Sequence, residues 1–415
     1  MTTRALPPET PAGADRVPLL VPVSSRVLRK AQGVALCIAL GAALSFGVGG
    51  CDSGADGGDG AATGWPAIAL DPTVTPPQKL SATGLARRVQ GALQLHPDLV
   101  PYDLTMPLFS DYAEKRRALW VPKGKVITWR DDGPLEFPEG SILVKSFLFS
   151  EDMRDPGAGA GPRVIETRVM VKGATDWKAW PYIWDAEGGD ATLAVNGAVK
   201  EIAFVDPAGT SRVANYLIPQ RNQCLDCHDQ GVDGEQVTGI IGPRARYLHR
   251  DGVYGGKTIN QLQHLHDLGL LPAMPALTTL KPATSLDEVR KVGVPNLHGP
   301  ALESAARDYL EVNCAHCHSA KGVEGRTSQL FLDAKNDNPF LYGVCKAPSS
   351  AGKGGFGRQY DVVPGHPDKS ILVYRLETAE LGAMMPDIGR SLPDTLGIAL
   401  VRKWIEALPP VNCDR

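Results

Sequence analysis

The sequence predicts an α+β multidomain chain: a β-rich, sandwich-like domain over residues 65–218, a short segment over 219–300 and a mainly α domain over 301–415. Three observations carry that prediction. Residues 65–218 contain short runs rich in β-branched and aromatic residues, broken by clusters such as Asp131-Asp132-Gly133-Pro134 and Asp155-Pro156-Gly157, the pattern of strands joined by turns. Residues 301–313 put Leu302, Ala305, Ala306, Tyr309, Leu310 and Val312 on one helical face. Near the C-terminus Leu396, Leu400, Trp404 and Leu408 recur every four residues behind Asp394, a residue suited to cap a helix.

Residues 1–50 read as an export leader. A polar stretch ends in Arg26, Arg29 and Lys30 and runs into apolar residues 31–50, the n-region and h-region of a signal peptide. The apolar stretch is about as long as a membrane span requires, so an uncleaved anchor stays open as an alternative. Val48-Gly49-Gly50-Cys51 resembles the lipobox of bacterial lipoproteins, which implies that Cys51 becomes the lipidated first residue of a mature chain. Residues 51–64 are nearly all Gly, Ala, Asp and Ser, a flexible linker with too little apolar surface to fold. The expected location is therefore the periplasmic side of a bacterial membrane, reached through a lipid anchor. Loss of the leader, with five basic and two acidic residues, moves the formal charge from −3 to −6. That balance gives no reason to expect nucleic acid as a partner.

In the β-rich domain the strand-like runs are 142–149, 164–171, 177–184 and 199–205. Five of the seven tryptophans fall between Trp120 and Trp184, crowding that suits either a core or a ligand groove. The domain holds no metal-ligand cluster, and His96 is its one histidine.

The chemistry lies further on. Cys224-Leu-Asp-Cys227-His228 and Cys314-Ala-His-Cys317-His318 are two CxxCH pentapeptides in a chain of eight cysteines. CxxCH is the attachment signature of c-type haem. Two thiols add across the two vinyl groups of one porphyrin, and the adjacent histidine ligates iron. The expectation is two covalent haem c groups, on Cys224, Cys227 and His228 and on Cys314, Cys317 and His318. Two CxxC pairs can also supply thiolates to zinc, but a histidine after each pair and the export leader favour haem. Residues 219–300 then read as an abbreviated haem c segment. Residues 301–415, with a helix before the motif and another at the end, read as a cytochrome c domain.

The sixth iron ligands are less determined. For the second haem, Met384-Met385-Pro386 lies between the motif and the terminal helix, where a distal methionine belongs. Met385 is the expected ligand and Met384 the fallback. For the first haem Met274, His264 on a helix expected over 258–271, and an open iron all remain. Cys345 and Cys413 are placed for a disulfide in an oxidising compartment, with free thiols as the alternative.

Leu108-Phe109-Ser110-Asp111-Tyr112-Ala113-Glu114-Lys115-Arg116, Glu166-Thr167-Arg168, Trp184, Ala305-Ala-Arg-Asp-Tyr-Leu310 with Asn313, the two CxxCH motifs and Met384-Met-Pro-Asp-Ile-Gly389 together resemble a family of large bacterial dihaem c-type cytochromes. The resemblance spans most of the chain after the linker. It implies a periplasmic or lipid-anchored dihaem protein, often encoded beside a parallel β-helix protein that is a candidate partner. Three functions follow as expectations: an electron carrier between redox donor and acceptor proteins, a dihaem peroxidase-like oxidoreductase with an open first haem, or a haem relay whose β-rich domain docks a β-helix partner.

Overall fold

Strand-forming runs pair largely in chain order. Strands β1 (Ala86–Val89) and β2 (Ala92–Leu95) form a hairpin. A six-stranded antiparallel sheet follows, each strand beside its successor: β3 (Val100–Tyr102), β4 (Glu114–Trp120), β5 (Ile142–Phe149), β6 (Arg163–Lys172), β7 (Trp177–Trp184) and β8 (Ala191–Leu193). β9 (Ala198–Val205) and β10 (Ser211–Ile218) form a separate ribbon. The computed structural model describes residues 64–157, 161–186, 189–231, 235–350 and 352–414. The expected leader, the expected lipidation site Cys51 and nearly all of residues 51–64 lie outside the described residues.

The fold is mixed α+β, and its β-rich part is one sheet with smaller pieces packed on it rather than two comparable sheets. The reason lies in β5, Ile-Leu-Val-Lys-Ser-Phe-Leu-Phe, buried throughout except at Lys145. Side chains alternate between faces, so both faces are apolar and both must be covered. On one face Ile142, Val144, Val169 and Tyr182 pack with Ala86 and Leu93 of the first hairpin. On the other, Phe147 and Phe149 meet Phe204 and Tyr216 of the β9–β10 ribbon, while Leu143 and Met170 meet Leu262 and Leu265 from the segment after the first CxxCH.

The rest of the chain is helical and looped. α1 (Cys224–His228) and α2 (Ala245–Leu248) are single turns. β11 (Asp251–Tyr254) and β12 (Lys257–Asn260) form a hairpin leading into α3 (Gln261–Asp267), so the helix expected over 258–271 is shorter and begins after a strand. α4 (Leu286–Val292) precedes α5 (Gly299–Cys314), then α6 (Gly325–Ser328), α7 (Ile371–Glu377) and α8 (Thr395–Ala407). Asp394 caps α8 by accepting a bond from the Gly397 amide at 3.2 Å. α5 and α8 bury Leu302, Ala306 and Leu310 against Leu400, Val401 and Trp404, each large side chain contributing about 1.5–3 kcal/mol. They approach closely because residue 397 is glycine: a β-carbon there would overlap the Tyr309 ring.

The hydrophobic clusters cross the expected boundaries. Met106 and Tyr247 share a cluster with Leu302, and Leu143 shares one with Leu265. The 108–112 segment adds polar ties. The Phe109 amide donates to Asn313 Oδ1 at 2.8 Å, and Asp111 Oδ1 accepts from the amides of Ser391 and Leu392, both at 2.7 Å. Tyr112 donates to the Pro393 carbonyl at 3.1 Å. Asp111 and Tyr112 both hold left-handed backbone, φ 47° and 66°, a strained state that persists because its surroundings hold it. Cys345 and Cys413 are joined by a disulfide with Cα atoms 5.0 Å apart. Among the described residues no helix is long and apolar enough to cross a membrane.

Candidate functional site

Both CxxCH motifs sit on helical turns. α1 is the first motif itself, and α5 ends at Cys314 with the turn carried on by the Cys317 and His318 amides, which donate to the Cys314 carbonyl at 3.1 and 2.8 Å. Spacings of three and four residues put both cysteines and the histidine of each motif on one side of its turn. All four thiols are free, Cys314 buried and the others half-buried.

The fold brings the two turns together. Cys317 donates to the Asp226 carbonyl at 3.2 Å, and ligand atoms of Cys227, His316 and Cys317 all lie within 4.8 Å of one another. A hydrogen bond from Cys317, aided by nearby His316, lowers the Cys227 thiol's pKa, and the same bond raises that of Cys317. Burial pushes the Cys314 thiol up to about 12. Ion pairs clamp the turns in place: Arg246 to Asp308 at 2.5 Å and to Glu311 at 2.6 Å, Arg244 to Glu311 at 3.1 Å, and Arg326 to Asp229 at 3.4 Å. Tyr247 donates to Glu311 as well.

The two motif histidines differ in their surroundings. His228 Nδ1 lies 2.7 Å from the Gly239 carbonyl. That oxygen can only accept, so Nδ1 carries the proton and Nε2 keeps its lone pair free, the tautomer in which a histidine can ligate a metal. Burial lowers both His228 and His318 to about 4, holding them neutral at pH 7. In the second region four buried polar atoms among the described residues lack a hydrogen-bond partner: His316 Nδ1, His318 Nδ1, the Tyr342 hydroxyl and the Trp404 indole nitrogen.

A cavity opens beside the first motif. Cys224, Cys227 and His228 line it, with Leu143, Lys145, Arg168 and Met170 of the sheet opposite. Arg117, Arg244, Tyr247 and Glu311 also line it, as do Pro386, Ile388 and Gly389 from just beyond the two methionines. The methionine on its wall is Met170, which the sequence had not marked out. Met274 packs instead with Leu265 and Leu271. His264 stacks on Tyr254, ring centroids 3.6 Å apart. Neither lines this cavity. Met384 is buried and Met385 half-buried. Their segment is fixed by the Met385 amide on the Arg375 carbonyl at 2.8 Å. Arg390 adds bonds to the carbonyls of Met385, Arg375 and Thr378 at 2.9–3.0 Å.

The clearest omission of the sequence reading is the set of cations on the sheet. Arg117 pairs with Asp103 at 2.6 Å, and Arg168 grips the fully buried Glu166 through two bonds of 2.6 and 3.0 Å. Tyr216 also donates to Glu166, at 2.9 Å. The signal was available in part: Lys145 interrupts an otherwise apolar and hydroxyl-bearing strand.

Compared with known proteins, the chain matches no family model, no curated protein and no solved structure.

Proposed function

We propose that this chain is a dihaem c-type cytochrome that carries electrons on the oxidising side of a bacterial membrane. The observation that carries the reading is the meeting of the two CxxCH turns, with Cys227 and Cys317 in contact. Attachment points this close favour electron exchange between two groups in one chain. The donor set fits the group. Cys224 and Cys227 are free thiols beside a largely apolar cavity, and His228 presents Nε2 with its other nitrogen already engaged. In the second region Cys314, Cys317 and His318 fit as well, and four unpartnered buried polar atoms in this region, His316 Nδ1 among them, suit a site built for a further group. The close α5–α8 crossing supports a cytochrome c-like domain over 301–415, with Met385 as sixth ligand and Met384 as its fallback.

When bound, the haem irons supply one-electron chemistry. The chain's own part is to hold neutral histidines, bury Cys314 among apolar side chains and fix the two turns through Arg244, Arg246 and Arg326. The Cys345–Cys413 disulfide supports an oxidising compartment, in line with export and lipidation at Cys51. A β-helix protein stays a candidate partner on the resemblance alone.

A second reading, a peroxidase-like oxidoreductase with an open first iron, is favoured by the cavity, since Met274 and His264 do not line it. The optical spectrum of the reduced mature protein before and after carbon monoxide separates the two. A spectrum that the gas leaves unchanged is expected for a carrier with both irons six-coordinate. A shift in about half of the haem would make the second reading the better one.

A further inference from the structure

Cross-strand register places three cations in one row. Arg117 on β4 lies opposite Lys145 on β5, and Lys145 lies opposite Arg168 on β6. Residues paired this way have β-carbons about 4.5–5.5 Å apart, and like charges so placed repel. All three side chains line the cavity that holds Cys224, Cys227 and His228. The flanking cations are compensated, Arg117 by Asp103 and Arg168 by Glu166. Lys145 is not: among the described residues it has no hydrogen bond or ion pair, and its ammonium rests 4.7 Å from the Phe147 ring centroid. Burial, then Arg117, Arg168 and Lys115, push its pKa well below the ordinary amine range. Glu166, bound by Arg168 and Tyr216, offsets this only in part.

A sheet that sets Arg117, Lys145 and Arg168 abreast toward a cavity, and gives the middle amine a ring face but no carboxylate of its own, suits an anion from outside the polypeptide. The charge of such an anion would favour the ammonium form that burial disfavours. The geometry points to Arg117, Lys145 and Arg168 as a carboxylate-binding row that receives propionate groups of the haem attached at Cys224 and Cys227. This rests on the dihaem reading. Covalent haem c carries its own pair of carboxylates into the cavity, and two thioether bonds at Cys224 and Cys227 would deliver them at a fixed distance. A diffusible small carboxylate or oxyanion has the same chemistry and is the alternative source. The row then also tunes the iron, because a cation beside a haem favours the reduced, less positive state.

The test uses the full mature chain, made with c-type haem maturation, as wild type and as Lys145→Met, Lys145→Gln and Lys145→Arg. Intact mass is read first. A chain without two haems would sink the dihaem reading itself, whatever Lys145 does. With two haems present, a redox titration is expected to show one potential lowered in Lys145→Met and Lys145→Gln and restored in Lys145→Arg, the other potential unmoved. Using both neutral variants guards against one that folds poorly. Two unchanged potentials would overturn the inference. So would a wild-type potential that shifts on titration with acetate or nitrate, which would make the row a site for free anions. New carbon monoxide binding in Lys145→Met would overturn it too, since Lys145 would then be an iron ligand.

Discussion

Around Cys224–His228 the chain supplies charge and open space. Arg117, Lys145, Arg168 and Arg244 face a cavity whose far wall is a β-sheet, and the motif itself is a single helical turn, half-buried except for the exposed Asp226. Around Cys314 it supplies hydrocarbon, while His316, Cys317 and His318 stay half-buried and Arg375 and Lys346 act on His318. That motif continues a sixteen-residue helix packed on α8, and Cys314 and Ala315 belong to the same cluster as Leu310, Leu400 and Trp404. The same five-residue pattern is thus held once by a sheet and its cations and once by helix packing. Haem potentials respond to burial, charge and hydrogen bonding, so on the dihaem reading two sites so differently surrounded have unequal potentials.

Each half of that contrast can be broken separately. The largest effect is expected at Glu166, fully buried and held by Arg168 and Tyr216. Glu166→Ala leaves a guanidinium without its partner and should destabilise the fold by about 3–5 kcal/mol, read from the midpoint of urea unfolding. A loss below about 1 kcal/mol would mean that the sheet wall does not depend on this pair. Next is Gly397→Ala, which drives a methyl group into the Tyr309 ring. Overpacking of this kind removes about 1–3 kcal/mol. The account expects the spectrum of the second site to change while the first is spared, and an equal change in both would blur the distinction between the regions.

The smallest effect probes the junction. The Asp333 carboxyl, raised to about 6 by burial and then influenced by Arg244 and Glu311, is half-buried. A folded-state pKa above the unfolded value of 3.8 means that the native state binds the extra proton between those two values. Stability therefore falls as pH rises through about 6. Asp333→Asn removes this dependence and should be more stable than wild type at pH 8, by about 1 kcal/mol once solvent screening is allowed for. The advantage should vanish below about pH 4. Thermal unfolding of both proteins across that range checks it, and a pH-independent difference would contradict it.

How much of this was legible in the sequence depended on the range of the interaction. β5 and β7 fall on the expected runs 142–149 and 177–184, because short runs rich in β-branched and aromatic residues, bounded by Gly, Pro and Asp clusters, carry their own signal. α5 and the capped start of α8 were equally local. The row Arg117–Lys145–Arg168 was not, since register brings together residues from three strands that the sequence spaces far apart. Met170 was hidden for the same reason: in a strand it looks like core. The 108–112 segment was recognised only by resemblance, and its ties to Asn313, Ser391 and Leu392 span more than two hundred residues. The helix that was to carry His264 was overestimated because the Gly255-Gly256 turn and β12 precede it.

The most direct test of the central claim is the intact mass of the mature chain made with c-type haem maturation, beside Cys224→Ala/Cys227→Ala and Cys314→Ala/Cys317→Ala variants. The account predicts two covalently added haems in the wild type and one in each variant. An unmodified chain carrying zinc at Cys227, His316 and Cys317 would contradict it.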